Sequence, residues 1–507
     1  MRRKRLWLTM TLMAAMLAGC AGGGQSVSPA ESTESGAGSN TGASQQNQEV
    51  TEKPVLNYIG GNIAWDPNSE LTNTLLQEKT GYKMEYFVLP ADEPEKKLNL
   101  DLASGTEYDI MRMDSAWFGK LAAQNALLPL NDLIDEYGPN IKKYCLPELF
   151  QVTTRDGKIY GIPSPTPGCG VYWGIAMRQD ILDELNLKAP TDEKELYDCL
   201  KVIKEKKNII PLTTSEPVLI HIASAFGLST YMKDVGGTLV AQPEQEGMQE
   251  YLAYMNKLYT EGLIDTDLPT NKAENVREKF TSGQAAAMLM TYGSETPPAI
   301  IMPALRENLP SAKLTFIMPL KDGNGNRQIP LDKGVENITA VPVTSEHPED
   351  AIKWINATLD EANYDELAIG EEGVHYKKDG DSYEPILPKF FEDKGNSWWL
   401  IPVTNHYKFP TYWSELRIKK DMDVYDVYAQ LSESLEYGET DPTTLMPFNE
   451  VVANLKQKLK QMENDYYIRV ISGAEDLAGY DGFLQRWRDA GGSQMTEECN
   501  KWYQEQK

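Results

Sequence analysis

Val55-Leu56-Asn57-Tyr58-Ile59, followed by Gly60-Gly61-Asn62-Ile63-Ala64-Trp65-Asp66-Pro67-Asn68, is the stretch on which the fold turns. The first five residues read as a short strand and the Gly-, Asn- and Pro-containing run behind them as a loop. A helix is expected from about Ser69 to Lys79, stopped at Gly81. Tyr82 to Leu89 reads as a second strand, and Tyr108-Asp109-Ile110-Met111 as a third, after a helix holding Leu98 to Ala103. Strand, helix, strand in that order implies a parallel α/β sheet, whose ligand crevice lies at the carboxyl ends of the strands. Trp65 and the segment Asp114 to Trp117 both fall just past such ends.

Moving outward, a second α/β segment starts near Val171. Pro190 and Thr191 head a helix with Asp192 and Glu193 in its first turn, and Leu196, Cys199, Leu200 and Ile203 form its apolar stripe. Gly247 to Tyr259 and Asn271 to Phe280 read as helices, Ala285 to Met290 as a small apolar run, and Lys313 to Met318 as a strand. From about Asp360 onward the chain is helical and aromatic, with Met446 to Met462 the clearest helix. There is no internal repeat. The alternation predicts a chain that shuttles between two lobes, as its 507 residues also imply.

The amino terminus has a different character. Arg2, Arg3, Lys4 and Arg5 precede an apolar stretch from Leu6 to Leu17, which is short of the roughly 20 residues a membrane-spanning helix needs. Leu17-Ala18-Gly19-Cys20 resembles the bacterial lipobox, so residues 1–19 are expected to be a signal peptide and Cys20 the lipidated first residue of the mature protein. Two acyl chains hold a protein durably at a bilayer where one holds it marginally. From Ala21 to about Lys53 the composition is Gly, Ser, Ala, Thr, Gln and Glu, a flexible tether whose r.m.s. span is about 30 Å. The expected location is the outer face of a bacterial cytoplasmic membrane.

The chain carries 49 basic and 75 acidic side chains, a net charge of −26, and loss of the four basic residues of the leader deepens it further. That field repels phosphate backbones, so no nucleic-acid partner is expected. Cys145, Cys169, Cys199 and Cys499 have no metal spacing and read as free thiols, with pairing left open. His221, His347, His375 and His406 are dispersed, and no metal site or cofactor is expected. Asp322-Gly323-Asn324-Gly325-Asn326 superficially suggests a calcium loop. However, Arg327 stands where the turn glycine belongs and Lys333 at the bidentate acid position, so a polar turn is expected.

Several phrases, in order, resemble one family. They are Glu107-Tyr108-Asp109-Ile110, Asp156-Gly157-Lys158-Ile159-Tyr160-Gly161-Ile162-Pro163, Trp173 to Asp180 with Ile181-Leu182-Asp183, and Phe280-Thr281-Ser282-Gly283-Gln284-Ala285-Ala286-Ala287-Met288. Val341-Pro342 with His347-Pro348-Glu349-Asp350-Ala351 follows, then Glu371-Glu372-Gly373-Val374-His375-Tyr376. Together with Leu17 to Cys20 they resemble the extracellular solute-binding proteins of ABC importers, in the large LplA-like lipoprotein branch. The resemblance implies an α/β protein of the two-lobed periplasmic-binding-protein type II fold, with an inter-lobe ligand cleft and extra C-terminal helices. It places crossings near Ile162 to Pro165, Met288 to Tyr292 and Asp360. The expected division is a lipidated cysteine plus tether over 20–53, a first lobe of 54–164 and 289–360, and a second lobe of 165–288 and 361–507.

A sugar has apolar C–H faces and a belt of hydroxyls, so its pocket needs aromatic plates and short polar side chains. The candidates in cleft loops are Asn62, Trp65 and Asp66 after the first strand, Asp114 and Trp117 after the third, Tyr172 and Trp173 after the first crossing, and Tyr292 at the return. Glu372 and Trp398-Trp399 complete the set. A large aromatic is more often core than platform, and Asp114 and Glu372 equally suit a helix cap. The sequence therefore reads as a monomeric, non-catalytic receptor, without cofactor, that captures an oligosaccharide and delivers it to an ABC permease. A peptide or signalling-ligand receptor of the same fold is the alternative. A secreted glycosidase is the weakest reading, since it needs two carboxylates about 5 to 10 Å apart across a cleft and no such motif stands out.

Overall fold

The computed structural model describes residues 53–90, 92–166, 173–291, 297–331, 333–420, 425–426, 429–430 and 432–507. The leader 1–19, Cys20, the tether to Glu52, Cys169, Tyr172 and Tyr292 lie outside them, as does the side chain of Trp173. Lys53 to Lys507 forms one compact unit.

The opening stretch folds as its pattern dictates. Strand β1 (Val55–Gly60) is followed by helix α1 (Leu71–Thr80), strand β2 (Lys83–Val88), helix α2 (Pro94–Ala103), strand β3 (Ile110–Met113) and helix α3 (Ser115–Ala123). Gly81 ends α1 with φ of +72°, where its N–H donates to the Gln77 carbonyl, a left-handed cap that glycine adopts without penalty. β1 lies parallel to both β2 and β3, with Tyr58 opposite Tyr86 on one side and Ile110 on the other. Strand β4 (Ile162–Pro165) leads toward the second sheet, made from β5 (Trp173–Arg178), β6 (Ala287–Thr291) and β7 (Leu314–Ile317). Between them run α4 (Glu193–Lys207), α5 (Met248–Thr260) and α6 (Ala273–Thr281). Strand β8 (Val335–Ala340) then returns to the first sheet, helix α7 (Pro348–Thr358) packs on it, and helix α8 (Glu450–Ile471) opens the C-terminal bundle.

The first sheet has the order β2-β1-β3-β8-β4. It is mixed rather than parallel throughout, because β8 runs antiparallel to both neighbours, with Ile338 opposite Met113 and Pro163. The carboxyl ends of β1, β2, β3 and β4 and the start of β8 therefore share one edge. The second sheet, β6-β5-β7, is antiparallel, with Thr291 opposite Trp173. Among the described residues, parallel contacts to it come as bridges, Ile210 to Ala285 and Thr213 to Met288. Pro211, which has no N–H, stands between those residues and limits the ladder. In α4, Asp192 accepts from the Glu195 N–H at 2.8 Å, and the predicted stripe Leu196, Cys199, Leu200 and Ile203 is buried.

Packing divides the C-terminal third. Tyr364, Leu367, Phe390, Trp399, Val403, Tyr412 and Leu416 share a core with Leu56, Tyr58 and Ile110 of the first sheet. Thr339 Oγ1 donates to the Pro402 carbonyl at 2.8 Å, and Asn405 Nδ2 to the Leu359 carbonyl at 3.0 Å. Leu459, Tyr466, Tyr467 and Trp487 instead join Ile175, Leu196 and Leu252. Residues 287–291 and 314–317 pair in the second sheet. Residues 364–418 thus cover the first sheet. The physical reason is that the face carrying Leu56, Tyr58 and Ile110 needs more apolar cover than α1 and α7 provide. The helix expected from Met446 starts at Glu450, because Pro447 interrupts it and Asn449 caps it by accepting from the Val452 N–H at 3.1 Å. Cys145, Cys199 and Cys499 are buried free thiols.

Candidate functional site

At the carboxyl edge of the first sheet the chain gathers Trp65, Trp398 and Trp399, three of its ten tryptophans. Trp399 is 2% exposed and sits edge-on to Tyr58 at 5.3 Å and to Trp65 at 5.7 Å, with Tyr86 tilted at 5.9 Å. Tyr58 Oη donates to the Trp399 carbonyl at 3.3 Å, which pins the short helix Ser397–Leu400 to β1. Gly60, the last residue of β1, makes this approach feasible, since a Cβ there would lie 2.8 Å from Trp399 Cζ2. Trp65 and Trp398 remain partly exposed over this base, while Asn62 and Asp66 lie exposed on the same loop as Trp65. Asp66 also accepts from the Asn68 N–H at 3.0 Å, starting the turn that leads into α1.

The other candidates are placed elsewhere. Trp117 is 8% exposed and packs with Ile59, Met111 and Met113, on the sheet face opposite Tyr58 and Ile110. Asp114 caps α3, accepting from the Trp117 N–H at 2.8 Å. Glu372 is exposed on a turn held by His375, whose Nδ1 accepts from the Glu371 N–H at 2.9 Å and whose Nε2 lies 3.0 Å from Asp393. Trp173 and Thr291 stand opposite one another at the end of the second sheet. The Asp322 carboxylate accepts from the N–H groups of Asn324 at 2.9 Å and Asn326 at 2.8 Å, so the tract closes on itself as a polar turn. Among the described residues no group of His, Cys, Asp and Glu is arranged to hold a metal ion.

Two residues at the aromatic edge were not singled out from sequence, Arg112 and Arg417. Their guanidinium carbons lie 5.3 and 5.5 Å from the Trp398 ring centroid. The signal for Arg112 was present, since it is the one charge in Ile110-Met111-Arg112-Met113. Burial pushes the Tyr58 hydroxyl up to about 12 despite the opposing influence of Arg112, so it stays a neutral donor.

A groove of about 620 Å³ opens beside α3, between Ser115 and Ala116 on one side and Met446, Phe448, Lys456 and Lys460 on the other. Phe448 lies over Gly119, where a Cβ would come within 1.9 Å of its Cγ. Gly119→Ala is therefore expected to lower stability by about 1–3 kcal/mol. Adding Phe448→Ala should recover part of that loss in thermal melts of the double variant. A single variant that melts with the wild type would mean that Phe448 is not seated there.

Comparison with known proteins places this geometry. The family model described as bacterial extracellular solute-binding protein matches residues 68–364. The polygalacturonan/rhamnogalacturonan-binding protein YtcQ of Bacillus subtilis (strain 168) is 25% identical over 460 residues, covering 85% of this chain and 88% of that one. The lipoprotein LipO of the same organism is 23% identical over 539 residues, covering 100% and 99%. Among solved structures, the S. pneumoniae ABC-transporter substrate-binding protein FusA in complex with kestose aligns with a TM-score of 0.66 at 18% identity, over 89% of this chain and 99% of that one. That likeness is one of fold, two lobes of mixed α/β structure. With a matched segment that runs from the loop after β1 through α7, taking in every strand of both sheets but β1, the chain belongs to the bacterial extracellular solute-binding proteins.

Proposed function

We propose that this chain is a lipid-anchored extracellular receptor that captures an oligosaccharide between its lobes and delivers it to the permease of an ABC importer. The observation that carries the reading is the edge cluster, in which Trp65 and Trp398 stay partly exposed over a buried base of Trp399, Tyr58 and Tyr86. Flat aromatic faces backed by rigid packing suit the C–H faces of sugar rings. Two of the similar proteins are named for carbohydrate ligands, one for polygalacturonan and rhamnogalacturonan and one as a complex with kestose. The anchor is supported by Leu17 to Cys20 and by a relative named as a lipoprotein.

In this reading Trp65 and Trp398 are the platforms, and Asn62 and Asp66 supply hydroxyl contacts from the loop. Trp399 acts as a support beneath that surface, and Trp117 belongs to the core on the other face of the sheet. Asp114, Tyr172, Trp173, Tyr292 and Glu372 are second-line contacts made as the lobes close. The family is one of binding proteins rather than enzymes. Closure follows ligand because the closed form binds it more tightly, and the permease then selects that form. The receptor acts as a monomer and needs no cofactor.

A thermal-shift screen of Lys53 to Lys507 against oligosaccharides, monosaccharides and short peptides tests this, with products analysed afterwards. A ligand bound only by the folded state raises the melting midpoint, by roughly 2.7 kcal/mol of stability at a hundredfold excess over Kd. The expected result is a rise with one class of oligosaccharide and recovery of that sugar intact. Stabilisation by peptides alone, or cleavage of the sugar, would overturn the proposal.

A further inference from the structure

Arg112 is 8% exposed, and its Nε has no hydrogen-bond partner. No carboxylate of the described residues forms an ion pair with it. Its neighbours are the Tyr58 hydroxyl and the Trp398 ring, whose own buried Nε1 also lacks an acceptor. Arg417, 3% exposed, lies 5.5 Å from the rings of both Trp398 and Trp413, and its Nη1 donates to the Gly395 carbonyl at 2.7 Å. The indole Nε1 of Trp413 is likewise buried without an acceptor. The cluster thus offers N–H donors and the positive charge of Arg112 in a chain whose net charge is −26.

A buried guanidinium without an anion is unfavourable, and so is each donor left without an acceptor. Sugar hydroxyls both donate and accept, so they match such a set only in part. A carboxylate accepts only, and a guanidinium binds it through two parallel hydrogen bonds. From this donor set we infer that the Arg112 cluster receives the carboxylate of a uronic acid residue, so that the receptor takes acidic rather than neutral oligosaccharides. This inference rests on the carbohydrate reading above. Trp398 then has two roles, since its face packs against the sugar ring while Arg112 holds the charge beside it.

Titration calorimetry of the full-length chain separates the inference from the reading beneath it. The probes are trimers of galacturonate, glucuronate and mannuronate, their methyl esters, and the corresponding neutral trimers. The esters keep the ring and remove the charge. At least one acid is expected to bind roughly tenfold or more tightly than its ester, since charge-assisted hydrogen bonds are worth about that factor. Arg112→Gln should erase the difference and Arg112→Lys keep part of it. Equal affinity for acid and ester, or binding of neutral trimers alone, would overturn the inference and leave the carbohydrate reading standing. Binding of none of these sugars would overturn both. If Arg112→Gln fails to fold, the comparison of acid with ester on the wild type still decides.

Discussion

Trp399→Ala is expected to lower stability by about 3–5 kcal/mol, the range for removing a fully buried tryptophan. The ring is 2% exposed and meets Tyr58, Tyr86 and Trp65 at centroid distances of 5.3 to 5.9 Å. Its loss leaves a cavity against Gly60 at the end of β1 and takes away the edge on which Trp65 rests. Two readouts should therefore move together, the melting midpoint and the affinity for whichever sugar stabilises the wild type. Trp399→Phe keeps part of the ring and is expected to lose less of each. If Trp399→Ala melted within about 1 kcal/mol of the wild type, the cluster would not be the base of the site.

The second large effect is on acid stability and comes from His221. This residue is wholly buried, and neither ring nitrogen has a hydrogen-bond partner. Burial alone holds its pKa down to about 4, against an ordinary 6.5. Above pH 6.5 the imidazole is neutral in both folded and unfolded chains, and it adds no pH dependence. As pH falls through 6.5 the unfolded chain takes up a proton that the folded chain refuses, so unfolding becomes easier. The loss grows until about pH 4, where the folded chain also protonates, and totals about 3 kcal/mol. Wild type and His221→Leu compared by denaturant midpoint from pH 7.5 to 4 isolate this term, because the carboxylates are common to both. The difference between them should shift toward the variant across that window. A constant difference would mean that His221 is not buried neutral.

The stretch from Val55 to Gly81 was legible because each local choice agrees, with apolar residues at both faces of a central strand, a loop of turn formers, and a glycine stop. The α4 stripe was legible for the same reason. The antiparallel return of β8 was not, because direction within a sheet is fixed by a crossover that leaves no mark on Val335 to Ala340 itself. Nor was the packing of residues 364–418 on the first sheet, since irregular aromatic segments lack the period that would reveal which face they cover. Among the site residues, Trp65, Trp398 and Trp399 were recognisable by type and loop position, yet their meeting at β1 depends on contacts more than three hundred residues apart. Trp117 shows the limit of that reasoning. It follows a strand end as Trp65 does, but Asp114 starts a helix at once and turns the indole into the core on the other face. Arg112 was overlooked because a single charge in a four-residue strand gains its meaning only from Trp398, far along the chain.

A crystal structure of Lys53 to Lys507 with the oligosaccharide that most raises its melting midpoint tests the central claim most directly. The expected result is sugar stacked on Trp65 or Trp398 at the carboxyl edge of the first sheet, with the second sheet's Trp173 end closed over it. Sugar bound away from both sheet edges, with the aromatic cluster untouched, would contradict it.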